Sequence, residues 1–304
     1  MKPKVSICIP TYNRHESLGQ TIEYLLRQTF SDWEMIVCDD ASTDSTEEIV
    51  RSFADSRIRY IRNLSNLGLY GNWNSSIQLA QGDYVTIYHD HDIYLPTILE
   101  RSVDLLDRYP RASFVHTAIL LIDHENQPVG LDIRSIPEIL GGSKMARLLA
   151  RGWSSPVMAA TAMVRRKAYQ EVGYYNYEKY GICCDLDMWF RLSQIGDVAY
   201  VSDPQALIRT RRKGDTTSQF KWSDVVGMVK MKQDQLQKCF PSGLNAVINK
   251  LIFSTKRDYR LMQLYSRALL LESRTVIKEG EQVLRTFGGM PALLFALPLV
   301  KNPV

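Results

Sequence analysis

Two carboxylates one residue apart lie in a short polar turn, and this turn is the strongest chemical feature of the sequence. Asp90 and Asp92 flank His91, directly after an apolar run at residues 84–88. Paired hard oxygen ligands can share a Mg²⁺ or Mn²⁺ ion together with the diphosphate that the ion neutralises. The turn could instead cap the helix that follows it, because Asp is a favoured N-cap residue. The spacing alone leaves both interpretations open.

A second carboxylate pair, Asp39 and Asp40, follows another apolar run at residues 33–38. A carboxylate at a strand end can accept hydrogen bonds from ribose hydroxyls or from the imide N–H of a uracil-like base. The structural alternative is that these residues only order the loop before the next helix. Ser45 and Glu48 predict a capping box at the start of that helix.

Strands and helices alternate in the first 110 residues, which is typical of a mostly parallel sheet covered by helices on both faces. In such sheets ligands bind beyond the carboxyl ends of the strands. The polar segments at 11–14, 39–44, 63–68 and 89–92 all follow predicted strands, so we expect them to form one site. We predict strands at residues 5–9, 33–38, 58–61 and 84–88, and helices at 17–28, 45–53, 69–80 and 95–109.

The second half of the chain is less regular and ends in helices. Its predicted elements are strands at residues 112–122, 159–164 and 198–201, a loop at 123–137, and helices at 139–150 and 184–195. After residue 218 the pattern is nearly all helical. We see no internal repeat, and place a boundary near residue 220.

Composition and missing motifs argue against several classes of protein. The net charge of +4 is weak for a nucleic-acid binder, so we predict no nucleic-acid partner. Five cysteines without zinc or disulfide spacing indicate a reducing compartment, and we predict a cytoplasmic protein. The chain lacks a Gly-x-Gly-x-x-Gly after its first strand, a P-loop and a nucleophile elbow. Dehydrogenases, P-loop enzymes and α/β-hydrolases are therefore poorly supported.

The C-terminal region is basic. Residues 221–286 carry twelve Lys or Arg against six Asp or Glu, a net of +6. This charge is either a solvated helical surface or a contact with an anionic membrane or a phosphate-bearing acceptor. No apolar run reaches the ~20 residues of a membrane span. Residues 290–300 could pack as the end of a domain or lie in a membrane interface, so peripheral contact at the inner face of the membrane stays open.

Several motifs in order resemble family-2 glycosyltransferases of the GT-A fold. The resemblance implies a Rossmann-like α/β fold with a GT-A domain at residues 1–220, divided into a donor-binding half at about 1–110 and an acceptor-side half at about 111–220. A mostly helical extension follows at 221–304. The motifs span residues 5 to about 218 and lie at 5–14, 25–30, 37–44, 66–68, 74, 82–84, 90–96 and 181–192.

The family implies an inverting transfer of a sugar from a nucleoside diphosphate sugar, UDP- or dTDP-linked, to an acceptor hydroxyl. We expect the acceptor to be a glycan or lipid-linked glycan in polysaccharide or surface-glycan assembly. By the resemblance, Asp185 is the base that takes the hydroxyl proton, and Asp187 and Arg191 support its helix. Asp92 and His91 are the metal ligands of a DXD-type motif. The nucleotide-sugar-binding residues implied are Pro10, Thr11, Tyr12, Arg14, Asp39, Asn66, Gly68, Asn74, Asp90 and Arg211.

This chain departs from the family pattern at three places. Cys184 replaces the acidic residue that usually precedes the base. His91 lies in the metal turn, where imidazole suits Mn²⁺ better than Mg²⁺, and the register leaves open whether Asp90 or His91 binds the ion. Arg211 and Arg212 lie in a segment where relatives often carry His, and either could bind the leaving diphosphate bidentately.

Two other functions are weighed against sugar transfer. A sugar-nucleotide-binding protein of the same fold without turnover is the main alternative, permitted by Cys184 and the altered metal turn. A nucleotidyltransferase is less well supported, because residues 10–13 are not a Gly-rich loop.

Overall fold

The structure, a computed structural model, describes residues 2–152, 155–210, 221–271 and 274–287. The chain forms two compact units. The first unit consists of Met1–Ala146, Ser154–Tyr175 and Met188–Arg212, and the second of Arg147–Trp153, Asn176–Asp187 and Lys213–Val304. Two short segments from before residue 220 therefore belong to the second unit. The division into functional domains at residue 220 stays a prediction.

A central mixed sheet forms the core of the first unit. Its strand order is β3-β2-β1-β4-β9-β6-β10-β5, and β7 and β8 pair at its sides with β6 and β10. The strands are β1 (Val5–Thr11), β2 (Trp33–Asp39), β3 (Ile58–Arg62), β4 (Tyr84–Ile87), β5 (Ile93–Tyr94), β6 (Ala112–Ile122), β7 (Pro128–Asp132), β8 (Ile139–Leu140), β9 (Met163–Arg165) and β10 (Asp197–Arg209).

Helices connect and flank these strands, as the alternating pattern predicts. In chain order the helices are α1 (His15–Leu26), α2 (Thr46–Arg51), α3 (Gly68–Leu79), α4 (Ile98–Arg108), α5 (Gly142–Arg151), α6 (Arg166–Val172), α7 (Tyr177–Tyr180), α8 (Cys184–Ile195), α9 (Trp222–Cys239), α10 (Gly243–Leu271) and α11 (Arg274–Phe287).

The parallel half of the sheet aligns the residues of the predicted site. Strands β3, β2, β1 and β4 are all parallel. Every residue of β1 and β2 is buried, because apolar side chains point to both faces of a covered sheet. The register pairs Thr11 at the end of β1 with Asp39 at the end of β2. Consecutive strand ends thus open on the same edge, as expected for this topology.

The other half of the sheet is where the sequence prediction was least accurate. Strand β9 lies antiparallel between β4 and β6. The predicted loop at 123–137 contains β7, and the predicted helix at 139–150 begins only at Gly142, after β8. Helix α4 begins at Ile98 rather than near residue 95, because Ile93–Tyr94 pairs with β10. Short edge strands carry too few residues for a period-2 pattern to be distinct.

The predicted capping box at the start of α2 was wrong. Ser45 precedes the helix, but its side chain makes no capping hydrogen bond to any residue that the structure describes. Asp44 replaces it, because its Oδ1 accepts from the backbone N–H of Thr46 at 3.1 Å and from the Thr46 hydroxyl. The carboxylate thereby satisfies a free donor of the first turn.

The second unit is helical in its described parts. Within it α9, α10 and α11 pack on one another, and α9 also packs on α7 and on the 3₁₀ turn Gly181–Cys183. Gly227 of α9 approaches Tyr180 so closely that an added Cβ would lie 2.6 Å from the Tyr180 carbonyl oxygen. Tyr180 in turn donates through its hydroxyl to Asp234 at 2.8 Å. Helix α9 therefore fixes the chain immediately before Asp185.

Candidate active site

The ends of β1 and β4 are joined by one side-chain hydrogen bond. The Thr11 hydroxyl donates to Oδ2 of Asp90 at 2.7 Å, and both residues are buried. The other carboxylate oxygen of Asp90 lies 3.0 Å from Nδ1 of His91. Pro10 is buried in β1 beside Thr11. Asp90 is thus engaged through both oxygens, which suits it to orient its neighbours.

Asp39 is fully buried at the end of β2. Its Oδ1 accepts from the backbone N–H of Ser42 at 2.9 Å, and its Oδ2 accepts from the Tyr60 hydroxyl and lies 3.5 Å from Nη1 of Arg62. Burial and the hydrogen bond to Asp39 both raise the pKa of Tyr60, so the phenol stays a donor. A carboxylate has about four lone-pair sites, and these three contacts do not use all of them.

The loops after β1 and β2 are tied together by Asn13. Its backbone N–H donates to the Ser42 hydroxyl at 2.9 Å, and its side-chain oxygen accepts from the N–H of Thr43 at 2.8 Å. Asn13 has φ +50°, a left-handed conformation that Asn tolerates better than most residues. This turn presents Tyr12, whose side chain is 47% exposed, at the edge of the site.

Asp44 and His15 add a second tie between the same loops. Nδ1 of His15 lies 2.8 Å from Oδ2 of Asp44. Burial raises the pKa of Asp44, but hydrogen bonds from Thr46 and His15 outweigh it and lower that pKa to about 2. Arg14, between Tyr12 and His15, is half-buried and acts electrostatically on His91.

The predicted residues Asn66 and Gly68 lie in a loop that Asp40 organises. Oδ1 of Asp40 accepts from the backbone N–H of Leu67 at 2.8 Å and from Nδ2 of Asn63 at 2.9 Å. Its Oδ2 accepts from the N–H of Gly68 at 3.0 Å, where φ is +74° and glycine is favoured. The prediction had passed over Asp40 in favour of Asp39, although the sequence places both after β2.

Two asparagines of α3 have different partners. Asn72, which the sequence analysis missed, is buried and donates to the Cys38 carbonyl at 2.8 Å while accepting from Asn63 at 3.0 Å. Asn74, a predicted ligand-binding residue, donates to the Tyr175 carbonyl at 2.9 Å and accepts from the Tyr175 N–H at 3.0 Å. Asn74 therefore ties α3 to the segment after α6.

Three potential metal ligands converge in the turn after β4. His89, His91 and Asp92 each offer an atom, and these atoms lie within 4.8 Å of one another. Oδ2 of the buried Asp92 lies 3.2 Å from Nδ1 of His89, but without hydrogen-bond geometry. Neither this oxygen nor Nε2 of His89 has a hydrogen-bond partner within the described part of the chain. Buried ligand atoms that lack a hydrogen-bond partner are suited to bind a divalent cation.

His89 was missing from the predicted ligands His91 and Asp92. The signal that could have identified it was its position three residues before Asp92 in the same turn. Its ring lies 5.7 Å from that of Trp73 and 5.6 Å from that of His91, centroid to centroid. Burial lowers the pKa of His91, but the hydrogen bond to Asp90 and the charges of Asp92 and Asp90 outweigh it and raise that pKa.

Arg209, at the end of β10, anchors the same turn from the far side of the sheet. Its backbone N–H donates to Oδ1 of Asp92 at 2.9 Å, and its Nε donates to the His91 carbonyl at 2.7 Å. Its two terminal nitrogens bond Gln20 and Asn126. These contacts hold the metal-turn backbone in place. The predicted diphosphate ligand Arg211, and Arg212 after it, lie outside the described residues.

Asp185 lies in the first turn of α8 and belongs to the second unit. Its Oδ1 accepts from the N–H of Leu186 at 2.6 Å. Cys184 beside it is completely buried, so a carboxylate at that position would be buried too. Further along α8, Arg191 donates to the carbonyls of Val172, Gly173 and Tyr174, which confirms that it supports the packing of this helix.

A buried lysine of α9 acts on Asp185. Lys232 is fully buried, and its ammonium donates to the Leu149 carbonyl at 2.5 Å and lies 3.4 Å from Oε1 of Gln235. Burial lowers the pKa of Lys232 to about 8, against the charges of Cys183 and Asp185, which raise it. The sequence offered no signal for this contact, because a lysine in a helical stretch ordinarily points to solvent.

Comparison with known proteins decides the family. The sequence model described as "Glycosyl transferase family 2" matches residues 6–173, which include every strand-end loop described above. The chain belongs to this family. EpsE of Bacillus subtilis, described as a glycosyltransferase, is 31% identical over 217 residues, covering 70% of this chain and 74% of that protein.

Two further matches extend the comparison. An Escherichia coli protein, WfgD, is 34% identical over 102 residues, covering 34% of this chain and 40% of its own length. Its name is UDP-Glc:alpha-D-GlcNAc-diphosphoundecaprenol beta-1,3-glucosyltransferase. The fold of S. aureus TarS residues 1–349, in complex with UDP-GlcNAc, matches with a TM-score of 0.71 at 15% identity, covering 97% of this chain and 88% of that one.

The predicted GT-A fold and glycosyltransferase activity are therefore confirmed. As a family-2 glycosyltransferase of the GT-A fold, the protein uses a nucleotide sugar and inverts the configuration at the transferred carbon. The comparisons give no support to the alternative of a non-catalytic binding protein. None of the helices in the described ranges is long and apolar enough to cross a membrane.

Proposed function

We propose that the loops after β1, β2 and β4 bind a UDP- or dTDP-linked sugar, and that Asp185 activates an acceptor hydroxyl. The observation that carries the donor site is the convergence of Asp39, Asp90 and Asp92 at one sheet edge, all three buried. Carboxylates are retained in such places when a ligand, a cation or fixed donors offset their charge.

In this proposal Asp39 accepts from the base or the ribose, and the exposed ring of Tyr12 covers the base. Asp90 and Thr11 fix the edge of the nucleotide pocket through their mutual hydrogen bond. Pro10, Arg14, Asn66, Gly68 and Asn74 shape the surrounding loops. Support for a uridine donor comes from TarS, whose structure holds UDP-GlcNAc. Arg211 stays a proposed partner of the diphosphate.

A divalent cation is proposed between His89, His91 and Asp92. When bound, it would offset the negative charge of the diphosphate as the nucleotide departs. Two imidazoles and one carboxylate form a softer set than an all-carboxylate turn, which favours Mn²⁺ over Mg²⁺. Arg209 would hold this turn in the geometry required for binding, because it bonds both Asp92 and the His91 carbonyl.

Asp185 is proposed as the base of the inverting step. The acceptor oxygen forms a bond to the anomeric carbon while its proton passes to the Asp185 carboxylate. The bond from that carbon to the diphosphate oxygen breaks, and the nucleoside diphosphate leaves with the electron pair. Proton removal in the transition state contributes about 10²–10⁴ to the rate, so the loss of this carboxylate is a direct test.

The experiment compares Asp185→Asn with Asp203→Asn, an exposed carboxylate of β10. Sugar transfer to an acceptor pool from the parent cell should fall at least ~100-fold in the Asp185 variant and stay unchanged in the Asp203 variant. UDP binding, measured by calorimetry, should persist in both. Full activity of Asp185→Asn would remove this residue from the mechanism. Loss of UDP binding in it would mean that the variant is misfolded, and Asp185→Glu then replaces it.

The cation is tested by binding rather than by turnover. Mn²⁺ is paramagnetic and should quench Trp73, whose ring lies 5.7 Å from that of His89. We expect His89→Asp to shift the metal preference from Mn²⁺ toward Mg²⁺ relative to the wild type. His124→Asp, at an exposed histidine outside the cluster, is the matched control. Equal metal preference in the wild type and His89→Asp would exclude His89 as a ligand.

We further propose that the acceptor is a lipid-linked glycan and that the enzyme contacts the membrane peripherally. Support comes from WfgD, whose name specifies a diphosphoundecaprenol acceptor. The excess of twelve basic over six acidic residues in 221–286 supports it as well, because anionic headgroups attract such a surface. A diphosphate-linked polyprenol acceptor should therefore be used better than the free glycan.

A further inference from the structure

Helix α10 carries an apolar face that is open to solvent. We call it the α10 face. Its side chains are between 42% and 75% exposed, with Leu244 the most exposed and Leu251 at 67%. They recur at intervals of three and four residues, which places them on one side of the helix. The members of the α10 face are Leu244, Val247, Ile248, Leu251, Ile252 and Tyr259.

The opposite side of α10 makes the packing contacts. Ala246, Asn249, Phe253 and Leu261 are all buried. Nε of Arg151 donates to Oδ1 of Asn249 at 2.7 Å, which holds this side within the second unit. A surface helix normally packs its apolar side and exposes a polar one. Helix α10 carries large apolar side chains on both sides, so the exposed ones require their own explanation.

Lysines border the α10 face on both sides. At 100° per residue, Lys250 lies beside Val247 on one flank and Lys256 beside Ile252 on the other, and both lysines are exposed. Residues 243–257 contain no Asp or Glu, and Asp258, the one carboxylate within the span of the face, is paired with Arg257 at 2.8 Å. Lysines in these positions can reach anionic headgroups while the apolar side chains enter the acyl boundary.

We propose that the α10 face is a membrane-docking surface that lies in the headgroup region of an anionic bilayer. This rests on the proposed use of a lipid-linked acceptor and assigns the contact to a defined surface. Residues 290–300, the segment that the sequence pointed to, lie outside the described residues. The α10 face is separate from that segment. At a rise of 1.5 Å per residue, the stretch from Leu244 to Tyr259 would extend about 24 Å in the plane of the membrane.

The charges beside the α10 face favour an anionic bilayer over a second copy of this chain as the binding partner. A symmetric pairing of two α10 faces would bring the same residues together. Lys250 and Lys256 would then meet an equivalent helix whose one carboxylate within the span of the face, Asp258, is already paired with Arg257 at 2.8 Å. Anionic lipid supplies the missing negative charge, and each lysine near such a surface strengthens binding.

The test is co-sedimentation of the full chain with vesicles. The probes are vesicles of phosphatidylglycerol mixed with phosphatidylcholine, and vesicles of phosphatidylcholine alone. We expect the wild type to bind the anionic vesicles more tightly. Leu251→Ser should weaken that binding about tenfold, since it removes one leucine side chain from the contact. Leu131→Ser, at a leucine of β7 that is 58% exposed, should leave binding unchanged.

A charge pair of variants completes the design. Lys256→Gln should weaken binding to the anionic vesicles by about fivefold and leave binding to the neutral ones unchanged. Lys167→Gln, at an exposed lysine of α6, is its control. The proposal is overturned if the wild type binds neither vesicle, or if Leu251→Ser and Leu131→Ser behave alike.

Light scattering without vesicles tests the competing occupant. A dimer in the wild type that becomes a monomer in Leu251→Ser would overturn the proposal in favour of self-association. A monomer in both supports it. UDP binding is measured in parallel. If the wild type fails to bind UDP but binds anionic vesicles, the donor assignment fails while the docking surface stands.

Discussion

The Thr11 hydroxyl donates to Asp90 across the ends of β1 and β4, over 2.7 Å and 79 residues of sequence. This bond links the first strand-end loop to the turn that carries the proposed metal ligands. The second carboxylate oxygen of Asp90 contacts His91, so the Thr11–Asp90 pair positions that imidazole as well. The donor site is therefore one connected network rather than a set of separate loops.

Thr11→Val should weaken UDP binding by about tenfold. The substitution keeps the shape of the side chain and removes the hydroxyl that Asp90 accepts from, which leaves a buried carboxylate oxygen without a donor. Thr11→Ser keeps the hydroxyl and is the control. Calorimetric titration with UDP measures the effect. Equal affinity in Thr11→Val and Thr11→Ser would show that this bond does not organise the nucleotide pocket.

Arg209→Gln should lower the affinity for Mn²⁺ by about 10- to 100-fold. Loss of an outer-shell partner that orients ligands typically has an effect of this size. The side-chain bond from Arg209 to the His91 carbonyl is lost, whereas the backbone bond to Asp92 remains. Arg134→Gln, which breaks the ion pair with Asp132 at the end of β7, is the control. Quenching of Trp73 by Mn²⁺ gives both affinities, and equal values would exclude a role for Arg209.

Stability at acid pH should depend on His116. This histidine of β6 is fully buried between aromatic rings, and neither ring nitrogen has a hydrogen-bond partner among the residues that the structure describes. Burial, together with the charge of Arg134, lowers its pKa to about 3. Between pH 6.5 and 3 the unfolded chain therefore binds a proton that the folded chain does not. The free energy of unfolding must fall as the pH falls through this window.

His116→Leu removes this dependence. Between pH 7 and pH 5 the wild type should lose roughly 2 kcal/mol more stability than the variant, from about 1.4 kcal/mol per pH unit below 6.5. Urea unfolding at the two values measures the difference. The exposed His124→Leu should follow the wild type. If His116→Leu and the wild type lose stability in parallel, His116 does not bind its proton on unfolding.

The sequence was sufficient to predict the location of those site residues whose position follows from the order of strands along the chain. Thr11 and Asp39 lie at the ends of apolar runs, Asp92 lies in the turn after another, and parallel strands bring those run ends to one edge. The fold class followed from the same alternation. Buried strands of seven residues, such as β1 and β2, are long enough for their composition to be distinct.

The rest depends on contacts between residues far apart in sequence. Arg209 reaches Asp92 from 117 residues away, through a β10 that extends well beyond the predicted residues 198–201. The role of Asp40 in ordering its loop follows from its hydrogen bonds with Asn63 and Gly68, which the fold brings beside it. No spacing rule encodes such pairs, because tertiary packing rather than local periodicity creates them.

Lys232 should affect both the pH dependence of transfer and that of stability. Its buried ammonium and the Asp185 carboxylate attract one another, so each favours the charged form of the other. The charges that act on Lys232 are those of Cys183 and Asp185.

Lys232→Met removes the positive charge and keeps an apolar stem of similar length. Without the ammonium, Asp185 should hold its proton to higher pH, and the acid limb of kcat/KM should move to higher pH. Lys230→Met, at an exposed lysine of the same helix, should leave the profile in place. A loss of activity without a shift of the acid limb would indicate a purely structural role.

The stability of the same variant provides an independent reading. The folded-state pKa of Lys232, about 8, lies below the value of 10.5 in the unfolded chain. Between these values the unfolded chain holds the extra proton, so the free energy of unfolding of the wild type rises with pH. Lys232→Met should lack this rise, and urea unfolding at pH 8 and pH 10 measures it. A similar rise in the variant would show that Lys232 is not the group that titrates in this window.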